Sequence, residues 1–508
     1  MEQLKELVNI VNKRKISQLE IFDKSLISRK DTLFSKLYDG IANGQIDSDE
    51  EAILYLYNTN TIEKNENANY RKLKSRFKSR LLNTLYFIDI NNTTENDSSK
   101  KSYFECVNRL YLSNILLRYT ENRNASIQLI IDAYPTAKKN NFFDILKEYS
   151  YKLLVYYGMN GHEKKYNEEY ISYQQYALEY ELEQQAQIIY TKVMMLVHFT
   201  KQNLTQKIVE IKACIHEIED ISKKSKSLVV YFIYIRTQLF FHEILGDNAS
   251  INKTTDIYLK NYTKRFTSIL SDTYLNTIHI YKLKSLFHLR TYADALSLVK
   301  EINIKAKGAS FLAIKEFEIK CYLNQTQEEK TKDLIHHIQI HPSFKNSTLV
   351  LKERWVVYNA FAEFIHHYNT DGNFKFSLSK FANEIPFVSQ DKSGFNFAAR
   401  IVTILFYIGR NDLDNAMQQI DALRVYQSRH LKDDNARRSN LFVKLLSMME
   451  KKSFNYKELK NLSEYEELKN NYAHQSIQEG EIIFYDQLWE MILVLLNKND
   501  MKLIGTLR

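Results

Sequence analysis

Arg71, Lys72, Lys74, Arg76, Lys78 and Arg80 place six cations within ten residues, with no acid among them. Positive charge at that density suits phosphates or the carboxylates of an acidic protein. Leu73, Phe77, Leu81, Leu85 and Ile88 run through the same stretch as a narrow apolar stripe at helical spacing. The cations are therefore expected on the exposed side of one helix. The preceding TLFSKLYDGIANGQIDSDEEAILYLY reads as helix–turn–helix, an arrangement that can lay such a helix along phosphates. A solvated face is the commoner fate of a basic run.

Tyrosine is used 35 times, and Tyr166, Tyr170, Tyr173, Tyr176 and Tyr180 step along one helix face with glutamates beside them. Rings at this spacing pack between helices, and they also line peptide grooves, where rigid amphipathic side chains give contact area at low entropic cost. Core packing is the favoured reading. His336, His337, His341, His366 and His367 concentrate five of the 13 histidines. Two antiparallel helices would bring His337 to His366 or His367, a weak zinc candidate without an HExxH spacing or a placed general base. Pro342 is expected to end the helix that carries His337. The spacing of Arg236 to His242 and of Arg424 to His430 matches that of HEPN-type ribonucleases, yet chance alone supplies about one or two such pairs. GxxxxGK, GxGxxG and GxSxG do not occur, which removes P-loop, Rossmann and α/β-hydrolase chemistry. The expectation is a protein that is not an enzyme and holds neither cofactor nor metal.

The elements that position these groups follow from composition. The 508 residues include 11 Gly and 3 Pro, where average usage gives roughly 36 and 25. Sheets and nucleotide-binding α/β folds need both residues at their turns, so the chain is expected to be all-α. Apolar residues recur at three- and four-residue spacing nearly throughout. The net charge of +9 is mild for this length and specifies no ligand by itself. Cys106, Cys214 and Cys321 form no CxxC pair, and the opening MEQLKELVNIVNKRK lacks an apolar signal core, so a cytoplasmic protein is expected.

Organisation follows from the polar run NNTTENDSSKK at 91–101, taken as a linker between a small helical module, 1–90, and the remainder, 102–508. In the module, helices are expected near 3–12, 17–27, 30–43, 49–58 and 69–89, with Ser48 and Glu51 forming a capping box. Beyond it, segments of about 15–22 residues are joined by short polar turns and must pack antiparallel to their neighbours. Leu283, Leu286, Tyr292, Ala295, Val299 and Ile302 have the same relative spacings as Ile404, Tyr407, Leu413, Ala416, Ile420 and Leu423. The two alanines fall where paired helices cross closely.

These segments, TYADALSLVKEI and NDLDNAMQQIDAL, with RNASIQLII as a weaker third, resemble the tetratricopeptide repeat (TPR). The likeness covers a third of the chain, lacks the usual tryptophan and closing proline, and keeps no strict period, so it is of a degenerate kind. What it implies is a TPR-like α-solenoid, a right-handed superhelix whose concave face holds a peptide or partner helix. With a module ahead of the repeats, the layout resembles bacterial TPR-containing regulators that sense peptides. The functional expectation is a non-enzymatic protein- or peptide-binding scaffold in such a system, with the tyrosine stripe as the candidate groove. A nucleic-acid-binding regulator using the basic helix is the alternative, and a helical HEPN-like ribonuclease a further one.

Overall fold

A chain with so little glycine must still reverse its direction many times, and five of its turns do so in one way. The carbonyls of Tyr157, His242, Leu286, Tyr322 and Tyr407 accept from the N–H groups of His162, Asp247, Thr291, Gln327 and Asp412 at 2.9–3.0 Å. The residue before each donor is left-handed: Gly161, Gly246, Arg290, Thr326 and Asn411, with φ between 53° and 71°. This six-to-one closure satisfies the open carbonyls of a helix end. Each donor residue then starts the next helix, its own carbonyl accepting from the N–H four residues on: Tyr166, Ile251, Ala295, Thr331 and Ala416. Only two of the five turns use glycine, so the scarcity of that residue does not reduce the number of turns.

The computed structural model describes residues 33–42, 45–46, 48–59, 64–85, 98–119, 124–199, 204–265, 272–302, 308–370, 372–386, 394–430, 437–470 and 480–506. The helices expected at 3–12 and 17–27 lie outside them. The structure is 86% helix in 23 helices, with no strand among the described residues, as the composition led us to expect. The first seven are α1 (Leu33–Ala42), α2 (Asp49–Tyr57), α3 (Lys64–Leu85), α4 (Ser98–Tyr119), α5 (Asn124–Lys139), α6 (Phe143–Met159) and α7 (Glu163–His198). Then come α8 (Leu204–Lys224), α9 (Leu228–Ile244), α10 (Asn248–Arg265), α11 (Asp272–His288), α12 (Tyr292–Ile302), α13 (Gly308–Asn324), α14 (Glu328–Ile340), α15 (Pro342–Lys345) and α16 (Leu349–Asn369). The chain continues through α17 (Leu378–Asn383), α18 (Phe395–Gly409), α19 (Leu413–His430), α20 (Arg437–Lys451), α21 (Tyr456–Lys460), α22 (Ser463–Asn470) and α23 (Tyr485–Thr506).

Two compact units are present, one of the described residues up to Ala137 with Glu148–Glu169, the other of Lys138–Lys147 and the residues from Tyr170 on. Most of the linker expected at 91–101 lies outside the described residues, and α4 already opens at Ser98. In the first unit α1, α2 and α3 enclose Leu37, Ile53, Leu56, Tyr70 and Phe77. The Ser48 hydroxyl accepts from Glu51 N–H at 3.2 Å and caps α2, as its spacing suggested. In the second unit neighbouring helices pack in pairs, and one continuous core runs from Leu283 to Leu496. Ala295 and Ala416 are fully buried there. Pro342 sits at the first turn of α15, just after α14 has ended, as expected. Cys106, Cys214 and Cys321 are buried free thiols, and burial pushes Cys321 up to about 12. No described helix is long and apolar enough to cross a membrane.

Enlarging either alanine has no space to fill. Ala295→Leu and Ala416→Leu should each cost about 1–3 kcal/mol in urea unfolding, with the far-UV circular dichroism of the folded chain unchanged. A cost below 0.5 kcal/mol for both would mean that these contacts are loose.

Candidate functional site

The residues singled out by type do not assemble into one site. Along α7, Tyr166 and Tyr170 are exposed, whereas Tyr176 is buried 6.3 Å from the Phe143 ring and Tyr180 lies under the Lys147 ammonium. Tyr173 is half-buried. The stripe thus turns from surface to packing along its length, and the expectation of core packing holds for its C-terminal half. The histidines do not converge either. His366 pairs with Glu328 at the first turn of α14, while His337 lies nine residues further on, about 13 Å along that helix. Antiparallel packing sets which residues meet, and it pairs the end of α16 with the start of α14. His367 instead faces the Lys375 carbonyl, and His341 stacks on Phe311 while its Nδ1 caps α15. No group of three metal-ligating side chains occurs among the described residues.

Arg236 and His242 share α9 but point about 120° apart, six residues being one and two-thirds turns. The Arg236 guanidinium lies 5.0 Å from the Tyr190 ring centre. His242 is half-buried, and burial lowers its pKa despite Asp247 nearby. Arg424 pairs with Asp421 on the exposed side of α19, and the His430 side chain lies outside the described residues.

The basic helix α3 keeps part of its expected character. Lys74 is bound by Asp49 at 2.6 Å, and the Arg80 guanidinium stacks 4.5 Å from the Phe34 ring centre. Arg71, Lys72, Arg76 and Lys78 are exposed and make no ion pair among the described residues. Four of the six cations therefore face solvent unneutralised.

The most elaborate polar centre was not anticipated. It is built where the α11–α12 turn and the end of α13 meet the segment 480–486. Asn324, the last residue of α13, donates from Nδ2 to the Ile482 carbonyl at 2.9 Å, and its Oδ1 accepts from Phe484 N–H at 3.0 Å. One amide thereby grips the backbone on both sides of Ile483. The left-handed Arg290 donates to Asp486 at 2.8 Å, its guanidinium 4.5 Å from the Phe484 ring centre. That ring also stacks on Phe287 at 4.9 Å. From α20, Arg438 donates to both oxygens of Glu481, from Nη2 at 2.7 Å and from Nε at 3.0 and 3.2 Å, and also reaches Asp486 and the Leu468 carbonyl. Gly480 closes the arrangement, since a Cβ there would lie 2.3 Å from the Gly394 carbonyl oxygen at the start of α18.

Electrostatics follow from burial. The Arg438 and Glu481 side chains are 2% and 1% exposed. Burial works against the Arg438 charge, but Glu481 and then Asp486 outweigh it and hold the guanidinium above its ordinary pKa. His288, beside the centre, donates from Nδ1 to Asn248 Oδ1 at 3.2 Å. Burial holds it well below the usual histidine range, and the Lys284, Lys320 and Arg438 charges add to that, so it is neutral. A second polar knot lies at the start of α9. Ser227 caps the helix and donates to Glu183, and Ser225 donates to Glu179. Burial, with Asp144 and Glu179 adding repulsion, pushes Glu183 up to about 7 despite the Ser227 hydrogen bond.

What these groups do chemically is grip: amide to backbone, guanidinium to carboxylate, ring to ring. No nucleophile with an adjacent base stands in the centre. Its partners lie 158 and 196 residues apart in sequence, so no local spacing could have revealed it. A usable signal was the run GEIIFYD, a glycine and two acids bracketing four apolar residues in a glycine-poor chain. No family model, curated protein or solved structure matches this chain.

Two measurements probe these assignments. Arg438→Met strands the buried Glu481 charge and should cost about 3–5 kcal/mol, and Glu481→Leu in the same chain should restore most of it. Failure of the second substitution to recover stability would show that the pair is not coupled. Glu183 binds its proton more tightly folded than unfolded, so stability from this group falls as pH rises through the interval from about 4.5 to about 7. Glu183→Gln should flatten that fall, which amounts to about 3 kcal/mol at most. Identical pH profiles for the two chains would refute the shift.

Proposed function

We propose that this chain is a non-enzymatic binding scaffold for a peptide segment of a partner protein, read on a TPR-like solenoid of helix pairs. The observation that carries the reading is the Asn324 side chain, which satisfies a C=O and an N–H of a non-helical segment at once. A side-chain amide spanning two backbone groups recognises a chain by its peptide bonds, so it accepts many sequences, while the Arg290 and Arg438 guanidinia beside it select for acids. The repeated left-handed turns support the repeat resemblance, since they set successive helix pairs by one rule. Under this reading the chain serves a bacterial regulatory system and acts by occupancy, without bond making. A linear-peptide library displayed on phage and panned on the full chain carrying Phe484→Ala, which loosens the segment that Asn324 already holds, should yield binders that weaken at least tenfold with Asn324→Ala. Binders indifferent to Asn324, or none at all, would remove the reading.

The basic helix favours a second contact. Arg71, Lys72, Arg76 and Lys78 form a cationic face suited to an acidic protein surface, with nucleic acid as the competing ligand. With four free cations, log affinity for duplex DNA or RNA would fall with log salt no more steeply than about −3.6. We expect no mobility shift at 50 mM salt for the full chain. A shift that Lys72→Glu with Arg76→Glu abolishes would instead establish the nucleic-acid reading.

A further inference from the structure

Segment 480–486 is held in the manner of a ligand. Its two acids, Glu481 and Asp486, meet two guanidinia supplied by separate elements, Arg438 of α20 and Arg290 of the α11–α12 turn. Its ring, Phe484, enters a slot between Phe287 and the Arg290 guanidinium. Its backbone is bound by Asn324. The turns carrying Arg290 and Asn324 do not need it for their closure, because Leu286 O and Tyr322 O already bond Thr291 N–H and Gln327 N–H. Charge is divided between the two sides: Glu481 and Asp486 come from the segment, and the groups that pair with them, Arg290 and Arg438, are cations. Buried ion pairs add little net stability but discriminate sharply between partners.

We propose that residues Gly480–Asp486 are a self-ligand, occupying the site at which a partner peptide of the pattern Glu-x-x-Phe-x-Asp binds. Partner and C-terminal segment then exclude each other. The inference rests on the peptide-binding reading above and adds to it the ligand's chemistry and its internal competitor. A tether gives the segment an effective concentration in the millimolar range, so a free peptide competes poorly against the intact chain.

The test uses the full chain with a protease recognition sequence placed at 472–478. The probe is a fluorescein-labelled synthetic peptide of residues 480–497, followed by anisotropy before and after cleavage. Cleavage should lower the half-maximal peptide concentration at least 100-fold. Glu481→Gln with Asp486→Asn in the peptide should raise it again at least tenfold. A C-terminal piece that does not exchange within a day, or whose release unfolds the remaining helices, overturns the proposal, because the segment is then ordinary core. Equal binding by the neutral peptide overturns the acidic specificity. As a second variant, Phe484→Ala in the uncut chain empties the slot between Phe287 and Arg290, so added peptide should raise its melting temperature by several degrees and leave that of the unaltered chain unmoved. No rise counts against the proposal. Phage-selected binders that need Asn324 yet ignore cleavage would preserve peptide binding while removing the self-ligand.

Discussion

The helix ends set the terms for the second unit. A six-to-one hydrogen bond over a left-handed residue stops one helix and, one residue later, starts the next. That single closure fixes where the following side chains fall. At the four restarts of the second unit the residue four past the restart is held inward, so Ala295, Ala416, Ile251 and Thr331 are all buried, whereas Tyr166 at the equivalent position of the first unit is exposed. Side chains at the turn itself are left to face whatever lies beyond the helix ends. Arg290 occupies the left-handed position although a Cβ there is strained by of order 1 kcal/mol. The ion pair with Asp486 and the contact with Phe484 are what its side chain gains there.

The polar centre is costly by the ordinary accounting of burial. Arg438 and Glu481 give up nearly all their hydration, and their mutual attraction roughly offsets that loss. Apolar replacements of similar volume would hold the same helices together as well or better. What they could not do is distinguish an acid from its amide, or fix which residues of a segment face which pocket. Geometry supports the distinction: two acids are held five residues apart, with an aromatic ring between them in a slot made by another ring and a guanidinium.

Much of the fold was legible because it is local. Scarce glycine and proline, helical periodicity, the Ser48 cap and the two alanines all depend on residues within a few turns of one another. The sites were less legible, for three physical reasons. His337 and His366 sit on adjacent antiparallel helices, yet a register that no spacing encodes puts Glu328 opposite His366. In the tyrosine stripe, a perfect helical period does not say how far along the helix its neighbour extends, and Tyr176 is covered where Tyr170 is not. In the basic run, Asp49 and Phe34 claimed two of six cations from elements earlier in the chain. The polar centre depends wholly on residues distant in sequence.

That distance bears on how the molecule is born. Asn324 and Ile482 are separated by 158 residues. Translation at about 5–20 residues per second therefore delivers the amide about 8–30 s before the backbone it grips. Helices α11 to α14 pair through short turns and can form while the ribosome is still making α18. Phe287, Arg290 and Asn324 are thus made and folded into their helices and turns well before the Gly480–Asp486 residues that they contact.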